Sequence, residues 1–283
     1  MNNKDTKIYF KTKFWLLIFV LNYILLSILL SKSGNTVADF LRINPDTYIT
    51  SLGEGAYGIE GYNLNNPAST AFYYRNILSF SYFPWLLDDM KYYFVGSVIT
   101  TSFGNMGVGG GIFSYGEIQG YNNFQQKINL PESNEILGIF SFSRIIKKTI
   151  PVETIYGSFG TNLKFIKSQL AEYSGESIAA DFGVLYKFPY NDKFPFLSNL
   201  SLGLSYQNLG SKMKFVTVEN FLPEAISMGL CYNDLSRIIV VGDISFPQNT
   251  AVIYSCGVSF VPIKPLVFSL GYRYSDRVLH NGL

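Results

Sequence analysis

The sequence predicts an all-β protein, an antiparallel β-barrel of the outer-membrane class. Apolar and small or polar residues alternate strictly in many segments, and the chain is 15% charged but 17% aromatic. Average soluble chains carry roughly 25% charged residues. Past Leu30, no apolar run approaches the roughly 20 residues of a membrane-spanning helix. A closed barrel satisfies every backbone group in lipid without helices, whereas the alternative is a secreted β-sandwich with an aromatic core.

The N-terminus has the layout of a signal peptide, which we assign to residues 1–33. Four lysines precede an apolar run at 14–30, and the small residues of Ser31-Lys32-Ser33 suit cleavage at its end. Thr36-Val37-Ala38 offers a second cleavage site. The alternative is a retained membrane anchor, since the run is close to the ~18 residues that begin to suggest a spanning helix. Cleavage predicts an exported protein.

The exported part contains about a dozen candidate strands with period-two alternation. In 266–274, Leu, Phe and Tyr occupy every second position, opposite Ser269, Gly271 and Arg273. Because side chains alternate faces along a strand, each segment has one apolar face and one small or polar face. Aromatic residues near strand ends and a polar opposite face are typical of outer-membrane barrels. The predicted strands lie at 48–58, 75–83, 91–103, 106–118, 135–147, 153–169, 176–188, 199–208, 224–234, 236–246, 250–262 and 264–276.

Turn chemistry separates these segments. Phe83-Pro84, Leu130-Pro131 and Tyr232-Asn233-Asp234 mark three of the boundaries. The connections alternate loosely between short turns and longer loops, of which 119–134 and 189–198 are the longest. Short turns on one rim and longer loops on the other are typical of a barrel in an outer membrane.

Five charged residues fall, by alternation, on the small or polar face. In a barrel that face is turned to the lumen, because Arg or Lys exposed to lipid near the midplane costs roughly 2–4 kcal/mol. These residues either line a permeation path or form an interior salt-bridge network that stabilises the barrel. They are Lys164, Asp181, Asp243, Arg273 and Arg144.

The sequence offers no candidate catalytic, cofactor-binding or metal-binding residue. The glycine-rich run at 104–111 lacks the lysine of a phosphate loop and leads into a strand. His280 is the single histidine, which argues against a His-based triad or metal cluster. A net charge of +2 indicates no nucleic-acid partner. Cys231 and Cys256 have opposite alternation phases, so we expect two free thiols.

Several motifs, in order along the chain, resemble the PorV/PorQ-like family of bacterial outer-membrane proteins, relatives of the FadL-type barrels. The opening block of that family is similar to Phe40-Leu41-Arg42-Ile43, Gly53 to Tyr57 and Asn66-Pro67-Ala68. An Asp-x-Gly strand at 181–183 and a Gly-Leu-x-x-x-Asn-Leu-Gly strand end at 203–210 also match. The resemblance implies a FadL-like barrel with an N-terminal hatch-like segment.

The resemblance places the hatch-like segment at residues 34–74, folded into or against the barrel mouth. Gly53 and Gly55 allow turns that other residues resist, and Asn66-Pro67 with Ala68 is turn chemistry before the first strand. The alternative interpretation is that Asn-Pro-Ala only starts that strand. Ser69 stands where the family usually has Gly, and Glu60-Gly61-Tyr62 where it has an acidic pair.

Residues 75–283 are then expected to form an incomplete barrel. Relatives that the sequence resembles continue into further strands and end on an aromatic one, whereas this chain stops at His280-Asn281-Gly282-Leu283. We therefore expect a C-terminally truncated gene product. The strand at 264–276 should be an exposed sheet edge or close imperfectly against the first strand, since open edges in lipid leave unpaired backbone groups.

The resemblance implies a non-enzymatic protein of the outer membrane whose partners are membrane lipid and either exported proteins or hydrophobic small molecules. The first reading is protein export or cargo handling, as in the type IX secretion members of the family. The alternative is a FadL-like passive channel for hydrophobic small molecules. A structural outer-membrane protein or a lipid-acting barrel enzyme is the third class, and the missing Ser/His pair argues against the enzyme.

Overall fold

The structure is a computed structural model, and the predicted signal peptide and His280 lie outside the residues that it describes. It describes residues 36–84, 89–116, 119–121, 124–129, 131–149, 154–189, 193–234, 237–248, 250–263 and 265–275. Within them lie one α-helix, α1 (Thr47–Ser51), and three 3-10 helices, Asp39–Arg42, Pro67–Phe72 and Pro195–Asn199. No helix in this part of the chain is long and apolar enough to cross a membrane.

β-strands make up most of the described chain. They are β1 (Ile77–Pro84), β2 (Lys91–Thr101), β3 (Gly104–Ser114), β4 (Gln119–Tyr121), β5 (Lys127–Asn129), β6 (Asn134–Thr149), β7 (Thr154–Leu170), β8 (Tyr173–Lys187), β9 (Leu200–Gly210), β10 (Met213–Phe215), β11 (Val218–Asn220), β12 (Ala225–Asn233), β13 (Ile238–Pro247), β14 (Ile253–Ile263) and β15 (Leu266–Ser275).

Eleven of these strands form one antiparallel sheet in the order β1-β2-β3-β6-β7-β8-β9-β12-β13-β14-β15. The remaining four form the hairpins β4–β5 and β10–β11 within loops. In the described residues β1 pairs only with β2, and β15 pairs only with β14. β1 and β15 are therefore the two end strands of the sheet within the described residues.

Eleven of the twelve predicted strands correspond to strands of this sheet, with small differences at their ends. The strand predicted at 48–58 is wrong, because this stretch contains α1 and turns. Positive φ angles at Gly53, Glu54 and Ala56 (88°, 66° and 57°) are incompatible with an extended strand. The two loop hairpins were also missed, since three-residue strands are too short to show periodicity.

The apolar faces of the strands point outward, and the small or polar faces point inward. Leu202, Phe182 and Leu230 are 42–50% exposed, while Ser205 and Ser227 on the opposite face are buried. The two cysteines follow this alternation, as predicted. Cys231 is buried, Cys256 is exposed, and both thiols are free.

Arg144 lies on the outward face, which corrects its predicted place on the polar face. Ser141 and Ser143 of β6 are buried, so the phase of that strand turns Phe140 and Arg144 outward. Arg144 pairs in register with outward-facing Phe159. It is five residues from the end of β6, where a long side chain can reach polar surroundings.

The two rims of the sheet differ in their connections. We call the rim with residues 115–133 and 211–224 the long-loop rim; its shortest connection is 171–172. The opposite, short-turn rim joins β2 to β3 through 102–103 and β14 to β15 through 264–265, and 188–199 is its one long connection.

Residues 36–74, which we call the hatch segment, run through the interior of the curved sheet from one rim to the other. The segment starts at the long-loop rim, where the Val37 N–H donates to the Phe221 carbonyl at 3.1 Å. It ends at the short-turn rim, where Tyr73 leads towards β1. Ser69, Ala68 and Leu52 have almost no solvent exposure, so the interior is filled.

Candidate functional site

A row of inward glycines forms the surface against which the hatch segment packs. A Cβ atom on Gly203 would collide with the Tyr57 carbonyl oxygen, and one on Gly160 would collide with the Pro67 backbone. On Gly257, a Cβ atom would lie 2.6 Å from the Leu52 carbonyl oxygen. The glycines sit opposite one another across the strand pairs Gly160–Gly183, Gly203–Gly229 and Gly257–Gly271. The small face therefore permits direct contact between wall and hatch backbone.

Inward serines and asparagines donate hydrogen bonds to the hatch carbonyls. Ser201 Oγ donates to Gly58 O and Ser205 Oγ donates to Asn65 O, both at 2.6 Å, and Ser158 Oγ donates to Ala68 O at 2.7 Å. In the same way Asn162 donates to Leu64 O at 3.0 Å and Asn105 donates to Thr70 O at 2.7 Å. Buried carbonyls need such partners, because the hatch has few backbone hydrogen bonds of its own.

We call this set of inward glycines, serines and asparagines that contact the hatch segment the seat. The Asn-Pro-Ala motif lies at its centre. Asn66 Oδ1 accepts from the Ala68 N–H at 3.1 Å, which caps the 3-10 helix beginning at Pro67. Asn66 Nδ2 donates to Tyr57 O at 2.7 Å and to Val184 O of β8 at 3.3 Å. The motif thus joins two parts of the hatch to the wall, beyond starting a turn before β1.

Two of the inward charges bind the hatch segment directly. The Asp243 carboxylate accepts from the Ala56 N–H at 2.8 Å and from the Tyr57 N–H at 2.9 Å. Arg273 of β15 forms an ion pair with Glu54. Gly55 is required beside Asp243, since a Cβ atom there would lie 2.6 Å from Asp243 Oδ2. Gly53 combines positive φ with close approach to Tyr272 O.

Lys164 and Asp181 form an ion pair within the wall itself. Lys164 Nζ lies 2.8 Å from Asp181 Oδ2 and donates to Asn208 Oδ1, also at 2.8 Å. The other carboxylate oxygen of Asp181 accepts from the Asn208 N–H at 2.8 Å. Asn208 has φ 59° beside the register shift between β8 and β9, so the pair fixes a bulge. Hydrogen bonds to both charged groups meet the requirement for burying an ion pair.

Three sequence motifs therefore meet in space. Asp181 of the Asp-x-Gly segment holds Asn208 of the strand end, and a Cβ atom on Gly183 would collide with Asn66 Oδ1 of Asn-Pro-Ala. One further hatch contact was missed, the ion pair of Glu60 with Lys187 at 2.8 Å. The inward phase of the serines could have indicated their role, whereas no local pattern pairs Glu60 with a residue 127 positions away.

Hatch side chains within the seat are largely desolvated. Burial raises the pKa of Tyr57 to about 12, and its hydroxyl donates to Gln207 Oε1 at 3.3 Å. Burial likewise raises the pKa of Asp46, against the effect of the two N–H groups that its carboxylate accepts from. No group of three potential ligands among the His, Cys, Asp and Glu residues of the described ranges could hold a metal.

An apolar cluster fills part of the long-loop half of the interior. Phe40, Leu41 and Leu64 of the hatch segment pack there against inward residues of the wall and of the β9–β12 loop. The wall and loop residues of this apolar cluster are Tyr92, Phe94, Phe113, Leu137, Ile139, Ile166, Ala179, Met213 and Leu222. The Phe40 and Tyr92 rings meet edge to face with centroids 6.5 Å apart.

A solved structure has the same fold. It is the "TodX deltaS2S3 mutant monoaromatic hydrocarbon channel", a FadL-type barrel, which matches with a TM-score of 0.50 and 12% sequence identity over 85% of each chain. The protein therefore has the fold of a FadL-type outer-membrane β-barrel. No family model and no curated protein sequence matches the chain.

Proposed function

We propose that the protein is an outer-membrane channel for hydrophobic small molecules. The observation that carries this proposal is the apolar cluster in the long-loop half of the interior. Water-filled barrel channels have polar interiors. Here Tyr92, Phe94, Phe113 and Leu137 present buried apolar surface to the inside of the sheet. A hydrophobic molecule entering at this rim would meet a surface on which water binds poorly.

The exposed apolar outer face of the sheet supports a location in the outer membrane. This face is a continuous apolar surface that includes Phe80, Ile178 and Leu270, each more than half exposed. Inward ion pairs keep Lys164 and Asp181 away from that surface. Longer loops face the cell exterior and short turns the periplasm in barrels of this class. The long-loop rim is then the extracellular end.

The fold comparison supports the same reading, because the neighbouring structure is described as a hydrocarbon channel. The hatch segment fills the interior of the present chain, so a solute must pass beside Phe40 and Leu41 or displace them. The protein-export role implied by the sequence resemblance stays a prediction.

Uptake measurements test the proposal. The full chain is expressed in a Gram-negative host that lacks hydrophobic-compound channels, and uptake of labelled toluene and of labelled arabinose is followed. We expect the chain to accelerate toluene uptake several-fold and to leave arabinose uptake unchanged. Leu137→Arg places a charge in the apolar cluster and should abolish the gain, while Leu137→Met keeps its volume and should retain it.

Two outcomes would contradict a hydrophobic channel. One is toluene uptake equal to that of the empty host when the protein is present and folded in the outer membrane. The other is arabinose uptake that rises together with toluene uptake, which would indicate a water-filled pore. If Leu137→Arg is absent from the membrane, Phe40→Ala serves instead and should increase the rate by removing hatch bulk from the cluster.

A further inference from the structure

A cavity opens at the short-turn rim, at the opposite end of the hatch segment from the apolar cluster. Its volume is about 610 Å³, and the residues around it come from α1, from residues 59–62, from residues 72–75 before β1 and from the end of β12. Small-molecule pockets usually measure about 300–1,000 Å³. This size suits one drug-sized molecule, whereas the polar cavity beside Asp243 measures about 40 Å³.

Five aromatic rings line the cavity. They belong to Tyr48, Tyr62, Phe72, Tyr73 and Tyr74. Ile49 and Ile59 complete the apolar lining. The phenols of Tyr48, Tyr62 and Tyr73 are protonated at neutral pH, and burial raises their pKa further. The wall therefore offers π faces for stacking and hydroxyl groups for hydrogen bonds.

The charges around the cavity argue against an anionic ligand. Asp46 and Glu60 are acidic, and Arg75 at the exposed mouth is basic. The Asp46 carboxylate accepts from the Tyr48 and Ile49 N–H groups, and Glu60 is paired with Lys187 at 2.8 Å. Lys187 balances Glu60, which leaves the Asp46 carboxylate against the Arg75 guanidinium. The cavity therefore has no net positive charge to attract a fatty-acid or other carboxylate headgroup. Both carboxylates already have partners, Asp46 in backbone N–H groups and Glu60 in Lys187, so they do not require a cationic ligand.

We propose that this cavity binds a neutral aromatic small molecule, as a site at the periplasmic end of the protein. The proposal rests on the proposed channel function only for the source of the ligand. In that function, the cavity receives a solute that has passed the hatch segment. Binding itself depends only on the aromatic lining and the cavity volume. A bound ring would lie among the Tyr62, Tyr73 and Tyr74 side chains.

Calorimetric titration of the purified full chain in detergent tests this site. The probe is 2-naphthol, which is neutral at neutral pH, and its anionic counterpart 2-naphthoate is titrated in parallel. We expect saturable 2-naphthol binding at one site and at least tenfold weaker binding of 2-naphthoate. Tyr73→Ala and Tyr74→Ala should each weaken 2-naphthol binding about three- to tenfold, as expected for the loss of one aromatic contact.

Tyr173→Ala is the matched control, because Tyr173 is half-exposed and lies at the long-loop end of β8. Tyr74 is 78% exposed, so its replacement should leave the fold intact even if Tyr73→Ala does not fold. Equal loss of binding in Tyr173→Ala, tighter binding of 2-naphthoate, or no saturable 2-naphthol binding would overturn the site. Because uptake is not measured here, a failed channel and a failed site give different results.

Discussion

At the scale of single residues, the inward glycines determine whether the hatch segment can be seated. Gly203 is buried against the Tyr57 carbonyl, whereas nothing lies within 4 Å of a Cβ atom placed on outward Gly242. Gly203 lies in β9 and Gly242 in β13, on either side of β12 in the sheet, and the two glycines face opposite surroundings. Gly242 is therefore a natural control for any substitution at Gly203.

Gly203→Ala should destabilise the protein by about 1–3 kcal/mol, because the added methyl group overpacks a filled interior. Gly242→Ala should change stability little. The measurement is the free energy of unfolding by urea in detergent micelles for both variants. Equal stability of the two variants would show that the hatch backbone does not contact β9 as described.

At the scale of elements, α1 depends on its N-cap. Asp46 Oδ1 accepts from the Tyr48 N–H at 2.8 Å and from the Ile49 N–H at 3.1 Å, and the helix is only five residues long. Asp46→Ala should cost about 1 kcal/mol through loss of the cap, while Asp46→Asn retains it. Burial is the main cause of the raised pKa of Asp46.

This raised pKa gives a pH dependence with a defined sign. The folded protein holds the Asp46 proton more tightly than the unfolded chain does. The stability that this bound proton contributes is therefore lost as pH rises through the folded-state pKa of Asp46. Asn does not titrate. Asp46→Asn should therefore gain stability relative to the parent protein as pH rises from about 4, the ordinary pKa of Asp, through the folded-state pKa of Asp46, as urea unfolding would measure. A gap that is constant or shrinks over this range would contradict the burial of this carboxyl group.

At the scale of the whole molecule, the sheet is a wall with an exposed apolar outer face around the hatch segment. We expect heat-modifiable migration on gels, because a folded barrel resists unfolding by detergent until it is heated. We also expect sedimentation with outer membranes. A protein released in soluble form by osmotic shock would be incompatible with the exposed apolar face formed by residues such as Phe80 and Leu270.

The sequence could predict the wall but only part of its interior. Alternation in β9 and β15 is a local signal, so strand positions and faces follow from it directly. The prediction for Arg144 is wrong because the phase of β6 follows Ser141 and Ser143, which lie three residues and one residue before it and therefore turn it outward. The contacts of Asp243 with Ala56 and Tyr57 join residues that lie 186 and 187 positions apart. No local pattern encodes such pairings. The sequence therefore indicated the inward serines and glycines only as a small or polar face, without their contacts to the hatch segment.

The route of the hatch segment also bears on the order of folding. Its residues precede every strand of the chain, yet Leu52 and Gly53 contact β14 and β15, the last strands of the described chain. Docking must therefore wait until the final strands have been synthesised and paired, and closing loops of this length lowers folding rates. The hatch segment is thus synthesised before the strands against which it packs, and until the last of them have paired, Leu52 and Gly53 lack their contacts with β14 and β15.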